Sequence, residues 1–319
     1  MQRRDFITLL GGTVAWPFAA RAQQAAKLPT IGFLGPAPWA PAFEQRLREF
    51  GWIVGRTVAI ENRSAEGYTE RFTEIVAEFV RIKVDIMVTA GAYTSLTAKQ
   101  ATSFIPIVFT SASDPVGNGL VASLARPGGN TTGILTQPSG MAGKRLDLLR
   151  EVAPGFRRLS VMVNVIHPEF ERWTVEIRAA ASTLGLETTI LEIRQAADIA
   201  PAFAALKGRA DALYVAGDPL TTMNRDEINA LALGERIPTI FDFREFVDAG
   251  GLMSYGTNLA DQLRHVADFV DRILRGARPA DLPVQQPTKF DLVINLKTAK
   301  ALGLRIPESF LLRTDDVVE

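Results

Sequence analysis

The sequence predicts an α/β fold made of two doubly wound lobes, each built around a parallel sheet. Short β-branched runs alternate with amphipathic segments along the chain, which is the pattern of successive βα units. This pattern continues for about five strands, breaks at Thr136–Gly140 and then starts again. The 319 residues also exceed what one hydrophobic core usually fills, so two domains of roughly 110–150 residues are expected.

The first lobe is predicted from five short apolar runs. The expected strands are Thr30–Leu34, Val58–Ile60, Val84–Thr89, Ile105–Phe109 and Thr132–Leu135. Helices are expected near residues 43–50, 72–80, 94–102 and 120–124. The second of these helices has the clearest signal, because its apolar side chains from Phe72 to Val80 follow the i, i+3, i+4, i+7, i+8 spacing of a helix lying on a sheet.

The second lobe repeats the same order of elements. The expected strands are Leu159–Val163, Thr188–Leu191, Ala212–Val215, Pro238–Phe241 and Leu252–Tyr255. Helices are expected near residues 142–152, 173–184, 199–206 and 225–233. Two series of similar size point to two Rossmann-like lobes.

The tail predicts a hinge rather than a third domain. An amphipathic helix from about Leu263 ends at Gly276, and three prolines then enforce an extended segment, because proline fixes φ and removes a donor. A last strand, Phe290–Leu296, and a short helix follow. We expect hinge crossings near residues 136–140, 255–258 and 282–286, so that residues 29–137 and 258–283 form lobe 1 and residues 138–257 and 284–319 form lobe 2.

The first 22 residues predict an export signal. Arg3 and Arg4 precede the apolar run Phe6–Ala20, and small residues at the end of the run favour cleavage near Ala22. Two glycines and a proline interrupt the run, which makes it a poor membrane anchor. The Arg-Arg-x-Phe order resembles the twin-arginine signal, which exports folded proteins. An ordinary secretory signal with a chance arginine pair is the alternative.

The cysteine content and the charge balance limit where the protein is expected in the cell and which partners it is expected to bind. The chain has no cysteine, so it has no disulfide and no thiol for a lipid anchor. We therefore expect a monomer without a membrane anchor, located in the periplasm of a Gram-negative cell. Removing residues 1–22 leaves 32 basic and 34 acidic residues, a balance that does not favour nucleic acid or an anionic membrane as partner.

The common catalytic motifs are missing from the sequence. It has no Gly-x-x-x-x-Gly-Lys-Ser/Thr loop, no Gly-x-Gly-x-x-Gly after the first strand and no Gly-x-Ser-x-Gly elbow. With no cysteine and only two histidines, a soft-metal site is not expected. The sequence therefore predicts a protein without cofactor or metal that is not an enzyme.

Candidate binding residues follow from the strand assignments, because open α/β sheets bind ligands beyond the carboxyl ends of their strands. The predicted ligand-binding residues are Trp39, Ala90, Gly91, Tyr93, Ser111, Ser113, Asp114, Asn164, His167, Asp218, Thr221 and Tyr255. Carboxylates suit an ammonium group, whereas hydroxyls and helix-start amides suit a carboxylate. We therefore expect a zwitterionic amino acid whose apolar side chain is covered by aromatic residues.

An Asp-Pro pair follows a strand in each lobe, at Asp114-Pro115 and at Asp218-Pro219. Helix capping is the structural alternative to ligand binding, because Asp is a favoured N-cap and Pro suits the first helical position. The two roles are compatible, since a capped helix start also presents free N–H groups.

Several segments in combination resemble a solute-binding family of ABC transporters. These segments are Ile105–Phe109 running into Ser113–Gly117, then Ala125–Gly133, Gly250–Gly256 and Asn295–Gly303. The resemblance implies the type I periplasmic binding protein fold with three hinge crossings, and members with an identified ligand bind aromatic amino acids such as tryptophan or phenylalanine. The Ser113–Pro115 and Asp218 loops match positions that face the cleft in such proteins. Gram-positive members are usually lipid-anchored through an N-terminal cysteine, which this chain lacks.

These observations predict the periplasmic solute-binding component of an ABC importer, which delivers a small ligand to the permease without catalysing a reaction. Two alternatives stay open. One is a ligand-sensing subunit for a receptor or kinase. The other is an exported hydrolase that uses Asp114 and Asp218 as an acid–base pair and needs their carboxylates close together.

The arginine pair gives a test of the export route. Replacing both Arg3 and Arg4 by lysine should leave precursor in the cytoplasm if the twin-arginine route is used, because this signal is defined by its arginine pair. Fractionation followed by immunoblotting measures the precursor. Normal export of the double variant would exclude this route but not export itself.

Overall fold

A computed structural model describes residues 27–35, 40–65, 68–136 and 140–319. The expected signal peptide and Trp39 lie outside these described residues. Within the described ranges, no helix is long and apolar enough to cross a membrane.

The first lobe contains a parallel sheet of five strands in the order β2-β1-β3-β4-β5. The strands are β1 (Thr30–Leu34), β2 (Ala59–Arg63), β3 (Ile86–Ala90), β4 (Ile107–Ala112) and β5 (Thr131–Leu135). Three helices connect them, α1 (Ala40–Glu49), α2 (Thr69–Ile82) and α3 (Ala92–Ala101). Strand β3 is buried along its whole length, as expected for a central strand with both faces covered.

The second lobe contains a sheet of seven strands in the order β12-β11-β10-β9-β8-β6-β7. The strands are β6 (Arg158–Asn164), β7 (Glu187–Ile193), β8 (Ala212–Val215), β9 (Thr239–Phe241), β10 (Met253–Thr257), β11 (Phe290–Asn295) and β12 (Asp316–Val318). All neighbours are parallel except β10 and β11. The tail thus extends the second sheet by two strands.

The remaining helices follow β5 along the chain; α10 packs in the first lobe, and the others belong to the second. They are α4 (Met141–Val152), α5 (Phe170–Thr183), α6 (Ile199–Leu206), α7 (Pro219–Met223), α8 (Arg225–Gly234), α9 (Arg244–Asp248), α10 (Leu259–Leu274), α11 (Leu296–Ala301) and α12 (Glu308–Leu311). Sequence periodicity did not predict α7, α9, α12 or β12, because elements of three to five residues are too short to show a period. The helix expected at residues 120–124 is wrong, since this segment is irregular.

The chain passes between the lobes three times. It crosses between β5 and α4, returns between β10 and α10, and crosses again before β11. Helix α10 packs on α1 in the core of the first lobe. Gln285 still belongs to the hydrogen bonding of the first sheet, because its N–H donates to the Gly133 carbonyl (3.0 Å) and its carbonyl accepts from the Leu135 N–H (2.9 Å). The last passage therefore follows Gln285.

A buried ion pair connects α4 to the strand ends of the second sheet. Arg145 is 1% exposed, and its Nη1 lies 2.9 Å from Asp242 Oδ1 and donates to Tyr214 Oη at 2.9 Å. Its Nε donates to the Tyr255 carbonyl at 2.7 Å, and Tyr214 Oη donates to Asp242 Oδ1 at 2.7 Å. Burial alone would lower the pKa of Arg145, but Asp242 and Tyr214 raise it above its ordinary value. Burial also raises the pKa of Tyr214 well above its usual range.

This ion pair predicts a large stability loss on substitution. Arg145→Met should lower the free energy of unfolding by about 3–5 kcal/mol, because it leaves the Asp242 carboxylate buried without its cation. Urea denaturation followed by circular dichroism measures the loss. The control is Arg150→Met, an exposed position on the same helix, which should cost about 0.5 kcal/mol or less. Equal losses in the two variants would contradict the stated role of the pair.

Candidate functional site

The main cleft lies between the two lobes, where the carboxyl ends of both sheets face each other. The loops after β1, β2, β3, β4 and β5 line one side, and the loops after β6, β8 and β9, with α5 and α7, line the other. The cleft contains about 770 Å³ of atom-free space, including the part open to solvent.

The structure brings together part of the sequence-predicted set. The predicted residues that line the cleft are Ala90, Gly91, Ser111, Ser113, His167 and Asp218. Two more, Tyr93 and Asn164, line a small neighbouring pocket that shares His167 and Asp218 with the cleft. Residues chosen at strand ends thus lie together around one cleft, and their role in ligand binding stays a prediction.

The other predicted residues are placed elsewhere by their local structure. The Asp114 carboxylate accepts from the Gly117 N–H at 2.8 Å and stabilises a turn. Thr221 is fully buried beneath Asp218, and the Tyr255 ring packs against Phe290 with 6.2 Å between ring centroids. Trp39 lies outside the described residues. The lining that holds Asp218 does not include Asp114, so it does not contain the acid–base pair of the hydrolase alternative.

Asp218 combines a capping role with an unbalanced charge. It is the N-cap of α7, and its Oδ1 accepts from the Thr221 N–H at 2.8 Å, with Pro219 at the first helical position. Its Oδ2 accepts from Asn164 Nδ2 at 2.6 Å. The residue is only 5% exposed, yet in the described part of the chain no lysine or arginine forms an ion pair with it. Helix capping is confirmed for Asp218, whereas no helix begins at Asp114-Pro115.

Asp242 differs from Asp218 in this respect. Its Oδ1 is paired with Arg145, and its Oδ2 accepts from the Gly217 N–H at 2.9 Å. Sequence reasoning placed Asp242 at a strand end but did not select it. The charge of Asp242 is thus neutralised within the protein. Its hydrogen bond with the Gly217 N–H supports the loop that carries Asp218.

The stacked rings of His167 and Trp173 form one wall of the cleft. Their rings stack with 4.1 Å between centroids and 22° between planes. His167 Nδ1 accepts from the Glu169 N–H at 3.2 Å, so the neutral ring carries its proton on Nε2. Burial lowers the pKa of His167 from 6.5 to about 4, against the opposing effect of Asp218. The wall is therefore uncharged at neutral pH.

Two polar atoms of cleft residues are buried without a hydrogen-bond partner among the described residues. They are Ser111 Oγ and Trp173 Nε1. Ser111 also has a φ of +62°, in the left-handed region that a non-glycine residue rarely adopts. Unsatisfied polar groups and backbone strain of this kind concentrate at functional sites.

Sequence reasoning missed the aromatic residues of the cleft, Phe72, Trp173 and Phe243. Phe72 and Trp173 lie on α2 and α5, where their spacing was interpreted as the apolar face of a helix. A helix face that packs on the sheet and one that reaches into the cleft have the same period, so the pattern contains no signal that separates them.

One hydrogen bond joins the lobes across the cleft. Glu169 lies between β6 and α5 in the second lobe, and its Oε1 accepts from the Asp114 N–H of the first lobe at 2.7 Å. Glu169 is 4% exposed, and its Oε2 lies 3.4 Å from Arg172 Nη2. The two lobes are therefore in contact at the cleft.

A family model described as ABC transporter substrate binding protein matches residues 41–318. The chain belongs to this family. The two lobes have the type I periplasmic binding protein fold, as the resemblance of the sequence motifs implied.

Known relatives agree with this assignment. A curated tyrosine-binding protein of Clostridioides difficile is 26% identical over 263 residues, which cover 82% of this chain and 76% of that protein. A conserved domain protein of Vibrio cholerae is 27% identical with a TM-score of 0.84, covering 90% of this chain and 98% of that one. A domain from Streptococcus pneumoniae solved in complex with L-Trp is 24% identical with a TM-score of 0.84, covering 91% and 100%. The two solved structures share the fold of this chain, and the ligands named are those of the relatives.

His167 makes stability depend on pH in a defined window. Its pKa in the folded state, about 4, is below the ordinary 6.5, so between these values the unfolded chain binds a proton that the folded protein does not. This contribution to stability is complete above pH 6.5 and is lost as the pH falls towards 4. His167→Gln should therefore reduce the drop in the free energy of unfolding between pH 7 and pH 4.5.

Urea denaturation at the two pH values measures this drop. The matched control is His265→Gln, since His265 is the other histidine of the chain and lies on α10, outside the cleft lining. It should show the wild-type drop. An unchanged drop in His167→Gln would contradict the assignment of a buried neutral ring.

Proposed function

We propose that this protein is the exported ligand-capturing component of an ABC importer and works in the periplasm. Its ligand is a zwitterionic amino acid with a large apolar, aromatic side chain. The observation that carries the proposal is one cleft that combines a buried carboxylate without a counter-ion, at Asp218, with aromatic and aliphatic walls.

The charge of the cleft favours an ammonium group. Among the described residues two carboxylates line it: Asp242 is neutralised by Arg145, whereas Asp218 accepts hydrogen bonds from neutral donors. Burying a charge is costly unless it is paired. A ligand ammonium supplies the missing charge, and within the described ranges Asp218 Oδ2 accepts one hydrogen bond, from Asn164.

The apolar part of the cleft suits a large side chain. Leu34, Ala65 and Phe72 line it from the first lobe, and Met223 and Phe243 from the second. Aromatic side chains bury much apolar area and pack well edge to face. The ligands of two relatives, tyrosine and L-Trp, support the same class of molecule.

Capture follows from the position of the cleft between two lobes. A ligand that contacts both lobes binds the closed arrangement more tightly than the open one and so shifts the equilibrium towards closure. The bond between Glu169 and the Asp114 N–H exists only when the lobes meet, and so it adds to the same effect. The permease would then receive the closed, loaded protein.

Isothermal titration calorimetry of the mature protein tests the ligand class. L-Tryptophan, L-tyrosine and L-phenylalanine should bind more tightly than L-leucine, and a neutral hexose should not bind. Tight binding of the hexose with no binding of amino acids would refute the proposal.

Two substitutions of Asp218 separate its charge from its capping role. Asp218→Ser and Asp218→Ala both remove the carboxylate, so each should weaken amino-acid binding about tenfold to a hundredfold, since a hydrogen bond to a charged group contributes about 1.5–3 kcal/mol. Serine remains a good N-cap and alanine does not. The alanine variant should therefore be less stable without ligand by about 0.5–2 kcal/mol relative to the serine variant.

Calorimetry gives the affinities, and urea denaturation gives the stabilities. Asp226→Ala, an exposed acidic position in the first turn of α8, is the control and should keep the wild-type affinity. If both Asp218 variants bind as the wild type does, Asp218 is a cap alone and the ammonium site lies elsewhere.

A further inference from the structure

A second, smaller cavity lies on the other side of Trp173. It shares Ser113, Trp173 and Asp242 with the main cleft, and it is also lined by Arg145, Arg172 and Glu176. The cleft therefore borders a small polar cavity, which lies between α4 and α5 next to the His167–Trp173 wall.

Two buried donors of this cavity lack an acceptor among the described residues. They are Trp173 Nε1 and Arg172 Nε, and both groups can only donate. Ser113 adds a hydroxyl from the opposite lobe. Buried donors without an acceptor destabilise a protein, so their persistence here indicates an acceptor that arrives from outside.

The carboxylates of the cavity are already engaged. Asp242 is held by Arg145, Tyr214 and the Gly217 N–H. Glu176 Oε1 accepts from the Gly140 N–H at 2.9 Å, and its Oε2 lies 3.6 Å from Arg172 Nη1. Arg172 also pairs with Glu169, so the cavity has no excess of positive charge. An incoming anion must therefore be held by directed hydrogen bonds rather than by net charge.

The wall places these donors beside the ammonium position. Asp218, His167 and Trp173 all line the cleft, Asp218 and His167 also line the same small pocket, and the His167 ring stacks on Trp173 at 4.1 Å. The ammonium and carboxylate of an amino acid are attached to one carbon atom. A head group lying over this wall therefore has its ammonium at Asp218 and its carboxylate towards Trp173.

We propose that Trp173 Nε1, with Arg172 Nε and Ser113 Oγ, binds the α-carboxylate of the ligand. This inference rests on the proposed function and adds the orientation of the head group. Trp173 is then a specificity-determining residue, because amines that have the same side chain but no carboxylate leave its donor unpaired. The ligand side chain extends the other way, towards Phe72 and Leu34 of the first lobe.

The test pairs one protein change with one ligand change. Trp173→Phe keeps an aromatic ring for the stack on His167 and removes the donor. Calorimetry is performed on the wild type and the variant with L-tryptophan and with tryptamine, which lacks the carboxylate. In the wild type, tryptamine should bind about tenfold to a hundredfold more weakly than L-tryptophan. In Trp173→Phe, L-tryptophan should weaken by about tenfold while tryptamine is unchanged.

Ser113→Ala is a second variant on the opposite lobe, and it should show the same selective loss. Trp52→Phe is the matched control, because Trp52 Nε1 donates to Asp271 at 2.8 Å and lies outside the cleft lining. It should change neither affinity.

Three outcomes would overturn the inference. Equal weakening of both ligands in Trp173→Phe would make Trp173 a packing surface, and no change in either would mean that water satisfies the donor. In both cases the wild type still binds L-tryptophan, so the proposed function stands. If the wild type binds no amino acid, the proposed function and the carboxylate site fail together.

Discussion

The buried pair of Arg145 and Asp242 is the interaction on which the organisation of the cleft depends. It connects α4 to the ends of β8, β9 and β10, through Tyr214, Asp242 and the Tyr255 carbonyl. The second carboxylate oxygen of Asp242, Oδ2, accepts a hydrogen bond from the Gly217 N–H, and this bond positions the loop before α7. A guanidinium in the core thereby determines where the Asp218 carboxylate stands.

Asp218 and Asp242 lie at neighbouring strand ends, but their surroundings give the same type of side chain different interactions. Asp242 has its cation within the protein and serves the scaffold. Asp218 receives hydrogen bonds from neutral groups, and no lysine or arginine among the described residues pairs with it. Burial lowers the pKa of His167 beside it, so the imidazole is neutral at neutral pH and the charge of Asp218 is not cancelled by an imidazolium.

The fold and the position of the site could be predicted from the sequence, because both depend on the alternation of strands and helices. Ala90, Ser111, His167 and Asp218 line the cleft because each directly follows, or ends, a parallel strand. Tertiary contacts decided the rest. Glu169 is not among the predicted residues, yet it is buried and accepts from the Asp114 N–H of the other lobe. No local pattern encodes this contact, because the two residues are 55 positions apart.

That contact between Glu169 and Asp114 involves no atom of a bound molecule. Its free energy is therefore added to the closed arrangement whatever occupies the cleft, and it multiplies every association constant by the same factor. Affinity and selectivity are thus controlled by different residues in this architecture. A substitution at position 169 can therefore raise or lower the affinity for all ligands together. The order of affinities among ligands stays the same, because it depends on the walls and polar atoms of the cleft.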